Sequence, residues 1–407
     1  MISIMDFFRF SGGILAGVVI LGAILFSFSL PLFSLAIPVL GGLALWFLVI
    51  PFPELRTLSF LIFWMVLTGA MYGLYVIGSI APISSGLRVA AQNISVFWLV
   101  FQGCILVLTP AWLLIAFGRM KFPDGNIWLI LGTCLILISL GIAARGTFFQ
   151  DPWRITQVKV VSPTVPEELV GLRIAQVTDV HIIHREDVRV WHDQLAAIQA
   201  EKPDILLFTG DFVDNLHYLP KAMEELEDIR KSFPLGVWAV LGNHDYFRGE
   251  ATFAEAFREA GIPILENEHK ELSWQGTPFV LAGVRYPFLD DWQKTGAHTS
   301  SVEIANRDLD HALAGKPEGI YTILAAHHPM VFEHAFKSEV NLSMAGHTHA
   351  WQVGWNGRSL NPFQKFAWGR YGDENFWGYV SDGAGDWFPF RLGAPPEIVI
   401  YELQRPD

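Results

Sequence analysis

The chain has 407 residues, of which 52% are hydrophobic and 17% are charged, and its formal net charge at pH 7 is −12. An ordinary soluble domain carries about 25% charged residues, so this composition is unlike that of a single soluble domain. The acidic balance argues against nucleic acid as a partner, because a phosphate backbone requires a basic footprint. The two cysteines, Cys104 and Cys134, both lie in apolar stretches, so no disulfide framework is implied.

The average composition conceals two unlike parts. Residues 1–145 hold six basic and three acidic residues and no histidine. Of the 28 basic and 40 acidic residues in the chain, 22 and 37 therefore fall in residues 146–407, which have a net charge of −15 and contain all 13 histidines. We predict a transmembrane helical domain over 1–145, a short linker over 146–154 and a globular domain over 155–407, held close to the bilayer by that linker.

Residues 1–145 contain five apolar stretches near the length of about 20 residues that a transmembrane helix requires. The predicted spans are Gly13–Leu30, Phe33–Ile50, Leu58–Ile77, Ile94–Phe117 and Ile127–Ala144. Only Pro31 and Leu32 separate the first two, which form either a tight hairpin or one long span. No ionisable residue lies in the middle of a span, which argues against a transporter and favours an anchor.

Basic residues between the spans orient the predicted bundle. If there are five spans, one side of the membrane carries Arg9, Arg56, Arg119 and Lys121, and the other side carries Arg88, Arg145 and Arg154. Because lysine and arginine accumulate on the cytoplasmic side, we predict an integral multi-pass protein with a cytoplasmic N-terminus and an extracytoplasmic C-terminal domain. If the hairpin is one span, the parity of the count changes and this orientation loses its basis.

Beyond residue 155, apolar runs typical of strands alternate with amphipathic helical stretches, which favours an α/β fold. The predicted strands are Leu172–Thr178, Ile205–Thr209, Val237–Leu241, Phe279–Val284, Tyr321–Ala326 and Leu342–Ala345. The predicted helices are Val188–Glu201, Ala222–Lys231, Thr252–Ala260 and Val302–Ala314.

Residue types that bind metals follow five of these strands, at the carboxyl ends where an open α/β fold places its site. The five segments are Thr178-Asp179-Val180-His181, Thr209-Gly210-Asp211-Phe212-Val213-Asp214, Leu241-Gly242-Asn243-His244-Asp245, Ala326-His327-His328-Pro329 and Ala345-Gly346-His347-Thr348-His349. On an extended segment, the D-x-H and H-x-H spacings point both side chains to one side. The two oxygens of an aspartate such as Asp211 can bridge two metal ions.

Each segment taken alone also has an ordinary explanation as a turn, a helix cap or a buried polar group with its partners. The combination favours a metal site instead. Its mixture of aspartate, histidine and asparagine without cysteine suits two divalent ions such as Mn, Fe, Zn or Co rather than a structural zinc.

In this order, D-x-H, G-D-x-x-D, G-N-H-D, H-x-P and G-H-x-H resemble the signature of the calcineurin-like metallophosphoesterase superfamily, over about residues 155–404. The tail segments 378–385, 390–392 and 396–398 further resemble its membrane-anchored YkuE/YaeI-type branch. The resemblance implies a four-layer α/β/β/α sandwich, here preceded by an all-α transmembrane bundle, and a metal-dependent phosphoric ester hydrolase.

The same resemblance implies a role for each residue. The first metal would be held by Asp179, His181, Asp211 and His349. The second would be held by Asp211, Asn243, His327 and His347, with Asp211 as the bridge. His244 matches the donor to the transition state, and Asp245 is expected to orient it. The H-x-P spacing selects His327, although the adjacent His328 leaves both histidines open as the ligand.

The implied reaction is hydrolysis of a phosphodiester or pyrophosphate bond by a water that the metals activate. Aromatic residues are dense over 351–390, where they form either an apolar lid for a lipid-like substrate or part of the core and an interfacial belt. Two departures from the branch pattern, at Ala350-Trp351 and at residues 182–184, leave the substrate open. The alternative function is a catalytically inactive, metal-binding membrane sensor or scaffold.

Overall fold

The computed structural model describes residues 58–80, 85–117, 125–287 and 300–406. The boundary between two compact units falls between Gln150 and Asp151, and each unit has its own core. The predicted bounds of the transmembrane domain (1–145), the linker (146–154) and the globular domain (155–407) remain predictions. The predicted spans Gly13–Leu30 and Phe33–Ile50 lie outside the described residues.

Among the described residues before the boundary, three form long helices, and two of these contain a stretch long and apolar enough to cross a membrane, Gly86–Thr109 and Ile130–Phe148. The helices are α1 (Leu58–Ile80), α2 (Ser85–Phe117) and α3 (Gly125–Phe148). The predicted spans Leu58–Ile77, Ile94–Phe117 and Ile127–Ala144 lie within them.

In these helices, some polar side chains are buried between helices, whereas large apolar side chains are exposed. Gln102 is buried and its amide donates to Thr68 Oγ1 at 3.1 Å, which links α2 to α1. Ser95 Oγ similarly donates to the Met71 carbonyl at 2.8 Å. Large apolar side chains such as Val107 face outward instead. Polar contacts between helices and an apolar exterior are typical of helices that pack in lipid, where apolar surface gains nothing by burial.

The described residues of the second unit form thirteen strands. They are β1 (Arg154–Val161), β2 (Arg173–Val177), β3 (Ile205–Thr209), β4 (Val237–Val240), β5 (Glu268–Trp274), β6 (Thr277–Gly283), β7 (Thr322–Ala325), β8 (Leu342–Ala345), β9 (Gly354–Trp355), β10 (Arg358–Ser359), β11 (Gly369–Gly372), β12 (Trp377–Val380) and β13 (Glu397–Gln404). One sheet has the order β1-β13-β2-β3-β4 and the other β11-β12-β8-β7-β6-β5, while β9 and β10 form a separate hairpin.

Helices cover the outer faces of both sheets. They are α4 (Arg185–Ala200), α5 (Leu219–Ile229), α6 (Asn243–Glu259), α7 (Ser301–Leu313) and α8 (Phe332–Ala335). One apolar cluster joins β2 and β3 to α4, α5 and α6. A second cluster joins the two sheets, and a third joins the second sheet to α7 and α8. The predicted α/β/β/α order of four layers is therefore confirmed.

Local sequence explains why α4 forms and where it packs. Trp191, Leu195 and Ile198 recur at helical spacing and are almost completely buried. At the first turn, the Asp187 carboxylate accepts hydrogen bonds from the Ile183 and His184 N–H groups at 2.9 and 2.7 Å. Because removal of a buried Trp side chain costs about 3–5 kcal/mol, Trp191 is a principal anchor of this helix on the sheet.

Strand direction determines which chain segments meet at the site. β2, β3 and β4 run parallel, so their carboxyl ends share one edge of the first sheet. β13 is antiparallel to β2 and parallel to β1, with Arg154 opposite Glu397. The chain therefore enters β1 at the same edge at which β2, β3 and β4 end.

All six predicted strands and four predicted helices are present, Ile205–Thr209 and Leu342–Ala345 with the predicted bounds and the others with shifted ends. The largest shift is in α6, which begins at Asn243 rather than at Thr252 and contains a break at Gly249, where φ is 136°. The sequence patterns did not predict β1, β5 or β9 to β13.

Candidate metal centre

The metal-binding residue types sit on left-handed backbone immediately after the strands. φ is +54° at Asp179, +48° at His181, +59° at Asp211, +69° at His347 and +48° at His349. The expectation that D-x-H and H-x-H lie on extended backbone is therefore wrong. A left-handed conformation costs a non-glycine residue about 1–2 kcal/mol, and such strain persists at functional sites where surrounding contacts enforce it.

Asp179, His181 and His349 form the first cluster, and all three are buried. Asp179 Oδ2 accepts hydrogen bonds from Thr178 Oγ1 at 2.7 Å and from the His347 N–H at 2.9 Å. This fixes the carboxylate so that Oδ1 lies 3.2 Å from His349 Nε2 and 3.8 Å from His181 Nε2. The two imidazole Nε2 atoms are 3.0 Å apart. Three potential ligand atoms thus converge on one point.

A second cluster gathers around His327. Its Nε2 lies 3.2 Å from Asp211 Oδ2, 3.1 Å from Asn243 Oδ1 and 3.2 Å from His347 Nδ1. Its Nδ1–H donates to the Thr209 carbonyl at 2.8 Å. A backbone acceptor at one ring nitrogen leaves the lone pair of the other nitrogen available to a metal.

Asp211 connects the two clusters. Its Oδ2 is 3.7 Å from His181 Nε2 in the first cluster and 3.2 Å from His327 Nε2 in the second. Its Oδ1 accepts the His244 N–H at 2.8 Å. Gly210, with φ +93°, allows this close packing, since a Cβ there would lie 2.6 Å from His327 Nδ1.

The electrostatics of these side chains fit divalent cations. Burial opposes the charge of Asp211, but His327 and His181 hold its pKa at about 2. Burial also opposes protonation of His327, but Asp211 and Asp179 raise its pKa to about 9. Asp179 Oδ1 is buried and accepts no hydrogen bond within the described part of the chain. A cation would neutralise the carboxylates and satisfy that oxygen, and the oxygen and imidazole donors suit divalent ions.

His244 lies beside the first cluster, and the carboxylate that contacts its ring is Asp214. Asp214 Oδ1 lies 2.6 Å from His244 Nδ1, and its Oδ2 lies 3.0 Å from His181 Nδ1. Asp245 instead accepts the N–H groups of Gly242, Asp211 and Phe212 at 2.8 to 2.9 Å. The expectation that Asp245 orients His244 is therefore wrong, because backbone donors already engage both of its oxygens.

The two adjacent histidines differ clearly in position. His327 is the one whose Nε2 reaches Asp211 and Asn243, whereas His328 Nδ1 accepts the Met330 N–H at 2.9 Å. The His328 ring stacks at 4.4 Å, centroid to centroid, on that of His347. The geometry therefore agrees with the spacing argument that selects His327.

Two further residues beside the clusters escaped sequence reasoning. Arg391 is buried, and its guanidinium contacts His349 Nδ1 at 3.2 Å while donating to the carbonyls of Asp382 and Gly385. The Tyr286 ring lies 5.5 Å from that of His347. Neither residue belongs to a recognisable motif, and Arg391 was singled out only as part of the tail resemblance.

The aromatic residues of 351–390 divide into two sets. Phe366, Trp368, Trp377 and Phe390 are buried, which supports the interpretation as core. The exposed set consists of Trp351, Trp355, Phe363 and Trp387, and Phe247 is exposed near His244. The site thus has a polar interior, and exposed aromatic side chains follow its last predicted ligand, His349, in the chain.

With this geometry established, comparison with known proteins identifies the class. The model of the calcineurin-like phosphoesterase family matches residues 172–351, a range that contains every predicted ligand. An uncharacterised metallophosphoesterase of Aquifex aeolicus (strain VF5) is 31% identical over 249 residues, covering 57% of this chain and 85% of that protein. The chain belongs to the calcineurin-like metallophosphoesterase family.

Two other relatives agree with this assignment. The uncharacterised metallophosphoesterase YkuE of Bacillus subtilis (strain 168) is 26% identical over 257 residues, covering 61% of this chain and 85% of that protein. A Bos taurus protein named transmembrane protein with metallophosphoesterase domain is 28% identical over 271 residues, covering 62% of this chain and 58% of that protein. Family membership implies a phosphoester substrate and divalent metals, and the two candidate spans together with the Bos taurus relative indicate membrane association.

Proposed function

We propose that this chain is a membrane-anchored, two-metal hydrolase of phosphodiester or pyrophosphate bonds. The observation that carries the proposal is the position of Asp211 Oδ2, which faces His181 in one buried cluster and His327 in the other. A carboxylate shared between two sets of ligands is the arrangement that a pair of cations about 3.5–4 Å apart requires.

The proposed ligands follow the two clusters. The first ion is assigned to Asp179, His181, Asp211 and His349, and the second to Asp211, Asn243, His327 and His347. When bound, such ions activate water as a nucleophile and neutralise charge on the phosphoryl oxygens. The native pair is drawn from Mn, Fe, Zn and Co.

His244 acts as the proton donor in this proposal. The Asp214 carboxylate accepts a hydrogen bond from His244 Nδ1–H and so fixes the orientation of the ring. The ring is 30% exposed at the mouth of the site, which leaves Nε2 accessible to a substrate. The Nε2–H group then donates to the leaving oxygen as the phosphorus–oxygen bond breaks, a contribution worth about 10²–10⁴-fold in rate.

The proposed substrate is lipid-linked, for two reasons. The segment that follows His349 exposes Trp351, Trp355 and Phe363, which suit an acyl or isoprenoid chain better than a polar nucleoside. The short linker also keeps the domain near the bilayer. The protein is proposed to be integral and multi-pass, with its catalytic domain outside the cytoplasm, and nucleic acid is not a proposed substrate.

The test uses the full chain, purified in detergent and loaded with Mn. Phosphodiesters and pyrophosphates that share one reacting group, with and without a lipid tail, are compared for kcat/KM. We expect hydrolysis of both and at least a tenfold preference for the lipid-linked ester. Equal rates would contradict the lipid assignment alone. Two bound ions without hydrolysis of any ester would contradict catalysis and favour the sensor or scaffold.

A matched pair of variants shows whether the site performs the reaction. Asp211→Asn keeps the size of the side chain but removes the charge that faces both clusters. Asp193→Asn makes the same chemical change on the exposed surface of α4. We expect hydrolysis to fall by at least 10³-fold in the first variant and to stay unchanged in the second. Full activity in Asp211→Asn would contradict the proposed site.

The orientation is tested separately by adding protease to intact and to permeabilised cells. We expect the C-terminal domain to be cleaved in intact cells. Cleavage that requires permeabilisation would place this domain in the cytoplasm.

A further inference from the structure

The segment 351–371, named here the aromatic flap, differs in charge from the rest of its unit. It contains three basic residues, Arg358, Lys365 and Arg370, and no acidic residue. The remainder of residues 146–407 holds 19 basic and 37 acidic residues. Lys365 contacts the Glu333 carboxylate, and the Arg370 guanidinium lies 3.8 Å from the centre of the Trp377 ring. Arg358 is exposed and has no charged partner within the described part of the chain. The proposed hydrolysis does not explain this basic, aromatic segment in an otherwise acidic domain.

The aromatic flap is folded, and it presents its apolar side chains outward. Trp355 is 76% exposed and Phe363 is 95% exposed, although Phe366 and Trp368 of the same segment are buried. Trp351 Nε1 donates to Gln364 Oε1 at 3.2 Å, which ties the two ends of the exposed stretch together. The buried pair anchors the segment, and the exposed side chains form an apolar surface beside the metal centre.

A short segment of the chain joins α3 of the first unit to β1 of the second. α3 ends at Phe148 and β1 begins at Arg154, so five residues separate them. Five extended residues span at most about 18 Å. The Arg154 guanidinium lies 6.0 Å from the centre of the Trp368 ring, and Glu397 accepts from Trp368 Nε1 at 3.1 Å. The attachment point of the domain is therefore in contact with the aromatic flap.

The sheet places the metal centre at the same end. Arg154 pairs with Glu397 at the start of β13, and the Glu397 N–H donates to the Gly383 carbonyl at 2.7 Å. A Cβ at Gly383 would lie 2.9 Å from the Asp179 Cβ and 3.0 Å from His349 Nδ1. The attachment point, the aromatic flap and two predicted ligands thus share one edge of the first sheet.

We propose that the aromatic flap docks on the headgroup region of an anionic phospholipid bilayer, the membrane that holds the apolar helices of this chain. Tryptophan is favoured at the membrane–water interface, and basic side chains near the surface are attracted to anionic lipids. Docking sets the metal centre at headgroup level, where the phosphoester of a lipid is accessible. The inference rests on the membrane attachment in the proposed function, but not on catalysis.

The test measures how close the aromatic flap lies to lipid in the full chain. Cys104→Ala and Cys134→Ala remove the native thiols, and Phe363→Cys then carries an environment-sensitive fluorophore. The protein is reconstituted in phosphatidylcholine–phosphatidylglycerol vesicles that contain spin-labelled lipid. The matched control is Val170→Cys, which is 39% exposed and precedes β2 at the opposite edge of the first sheet.

We expect spin-labelled lipid to quench the label at position 363 at least twofold more than the label at position 170. Equal quenching at the two positions would overturn the proposal. Shielding at position 363 that persists in detergent micelles without spin-labelled lipid would also overturn it, because a second copy of the chain would then cover the aromatic flap.

The electrostatic part has its own measurement. Replacing the anionic lipid by phosphatidylcholine alone, or changing Arg358→Gln, Lys365→Gln and Arg370→Gln together, is expected to remove at least half of the excess quenching. If neither the phosphatidylcholine vesicles nor the triple variant reduces the excess quenching, the proposal that the aromatic flap binds an anionic surface is overturned. Loss of the whole chain from carbonate-washed vesicles would instead contradict the proposed membrane attachment, and hydrolysis of a soluble ester reports separately on catalysis.

Discussion

The metal centre and the aromatic flap adjoin in the chain, with His349 in one and Trp351 in the other, yet they differ in which kinds of side chain are buried and which are exposed. At the centre, charged side chains are buried, and hydrogen bonds to one oxygen hold each carboxylate in place, as at Asp179 and Asp211. In the aromatic flap, apolar side chains such as Phe363 are exposed. Under the proposed function, this difference implies that the reaction depends on the buried interior, whereas the choice of substrate depends on an exposed surface whose side chains can change without disturbing that interior.

The largest expected effect is on kcat, and it distinguishes Asp214 from Asp245, two carboxylates at the same centre. Asp214→Asn removes the charged acceptor at His244, so we expect kcat to fall by about 10²–10⁴-fold, the usual contribution of a positioned proton donor. Thermal stability should fall as well, because the amide has one acceptor oxygen in place of the two that contact the His244 and His181 rings, so the large loss of kcat is the distinguishing result. The check is kcat together with the unfolding midpoint of the purified chain.

Asp245→Asn is the contrasting variant. An amide has a single acceptor oxygen in place of the two carboxylate oxygens that accept three backbone N–H groups. We expect a loss of about 2–3 kcal/mol in the free energy of unfolding, the cost of buried donors left unsatisfied. If Asp245→Asn instead lowers kcat at unchanged stability, the assignment of these two aspartates must be exchanged.

Removal of metal is the next largest effect. With each ion present at about 1,000 times its dissociation constant, the binding of each ion contributes about 4 kcal/mol to the free energy of unfolding. Treatment with a chelator should therefore lower the unfolding temperature of the C-terminal unit, followed by tryptophan fluorescence, and readdition of Mn should restore it. An unfolding temperature that changes neither with the chelator nor with readded Mn would contradict a metal centre in the interior.

A smaller effect links metal uptake to protons. In the metal-free protein, burial lowers the pKa of His327 but Asp211 and Asp179 raise it overall to about 9. Relative to an unfolded pKa near 6.5, this proton stabilises the metal-free fold fully below about pH 6.5, and that stabilisation is lost as pH rises through 9. A metal at His327 displaces the proton, so binding at pH 7.5 should release close to one proton from this histidine, and affinity should increase with pH up to about 9. Titration calorimetry in buffers of different ionisation enthalpy measures the release, and identical heats in all buffers would contradict it.

The smallest expected effect lies in the aromatic flap. Trp355→Ala removes an exposed side chain that contacts no predicted ligand within the described part of the chain. We expect kcat/KM to fall about threefold to tenfold for a lipid-linked ester, the range of one partly buried apolar contact, and to stay unchanged for the matching soluble ester. Equal losses on both esters would show that the aromatic flap supports the centre rather than the substrate.

The sequence predicted the residues of the centre far better than their geometry. Gly-Asn-His-Asp and the order of the five segments were sufficient to select seven side chains that the structure gathers at two adjoining clusters. The left-handed backbone at Asp179 and His349 could not be predicted, because no local signal makes a non-glycine residue adopt it. The role of Asp214 was missed for a related reason, since adjacency in sequence favoured Asp245, whereas the contact with His244 depends on the packing of β3 beside β4.

The fold was predictable where hydrophobic patterns are local and dense, as in β2, β3 and α4. β1 was missed because its partner, β13, lies more than 200 residues away in the chain, and pairing at that distance leaves no turn signal between the two strands. The consequence is functional, since the β1–β13 pair brings the chain to the edge of the sheet that carries the centre.

The central claim is that Asp211 joins two ions in one site, and counting metals tests it most directly. The full chain, loaded with Mn and freed of loosely bound metal, is examined for metal content and for magnetic coupling by electron paramagnetic resonance. We predict two ions per chain with a coupled signal, and loss of that coupling in Asp211→Asn but not in Asp193→Asn. One ion per chain, or two uncoupled ions in the unsubstituted protein, would contradict it.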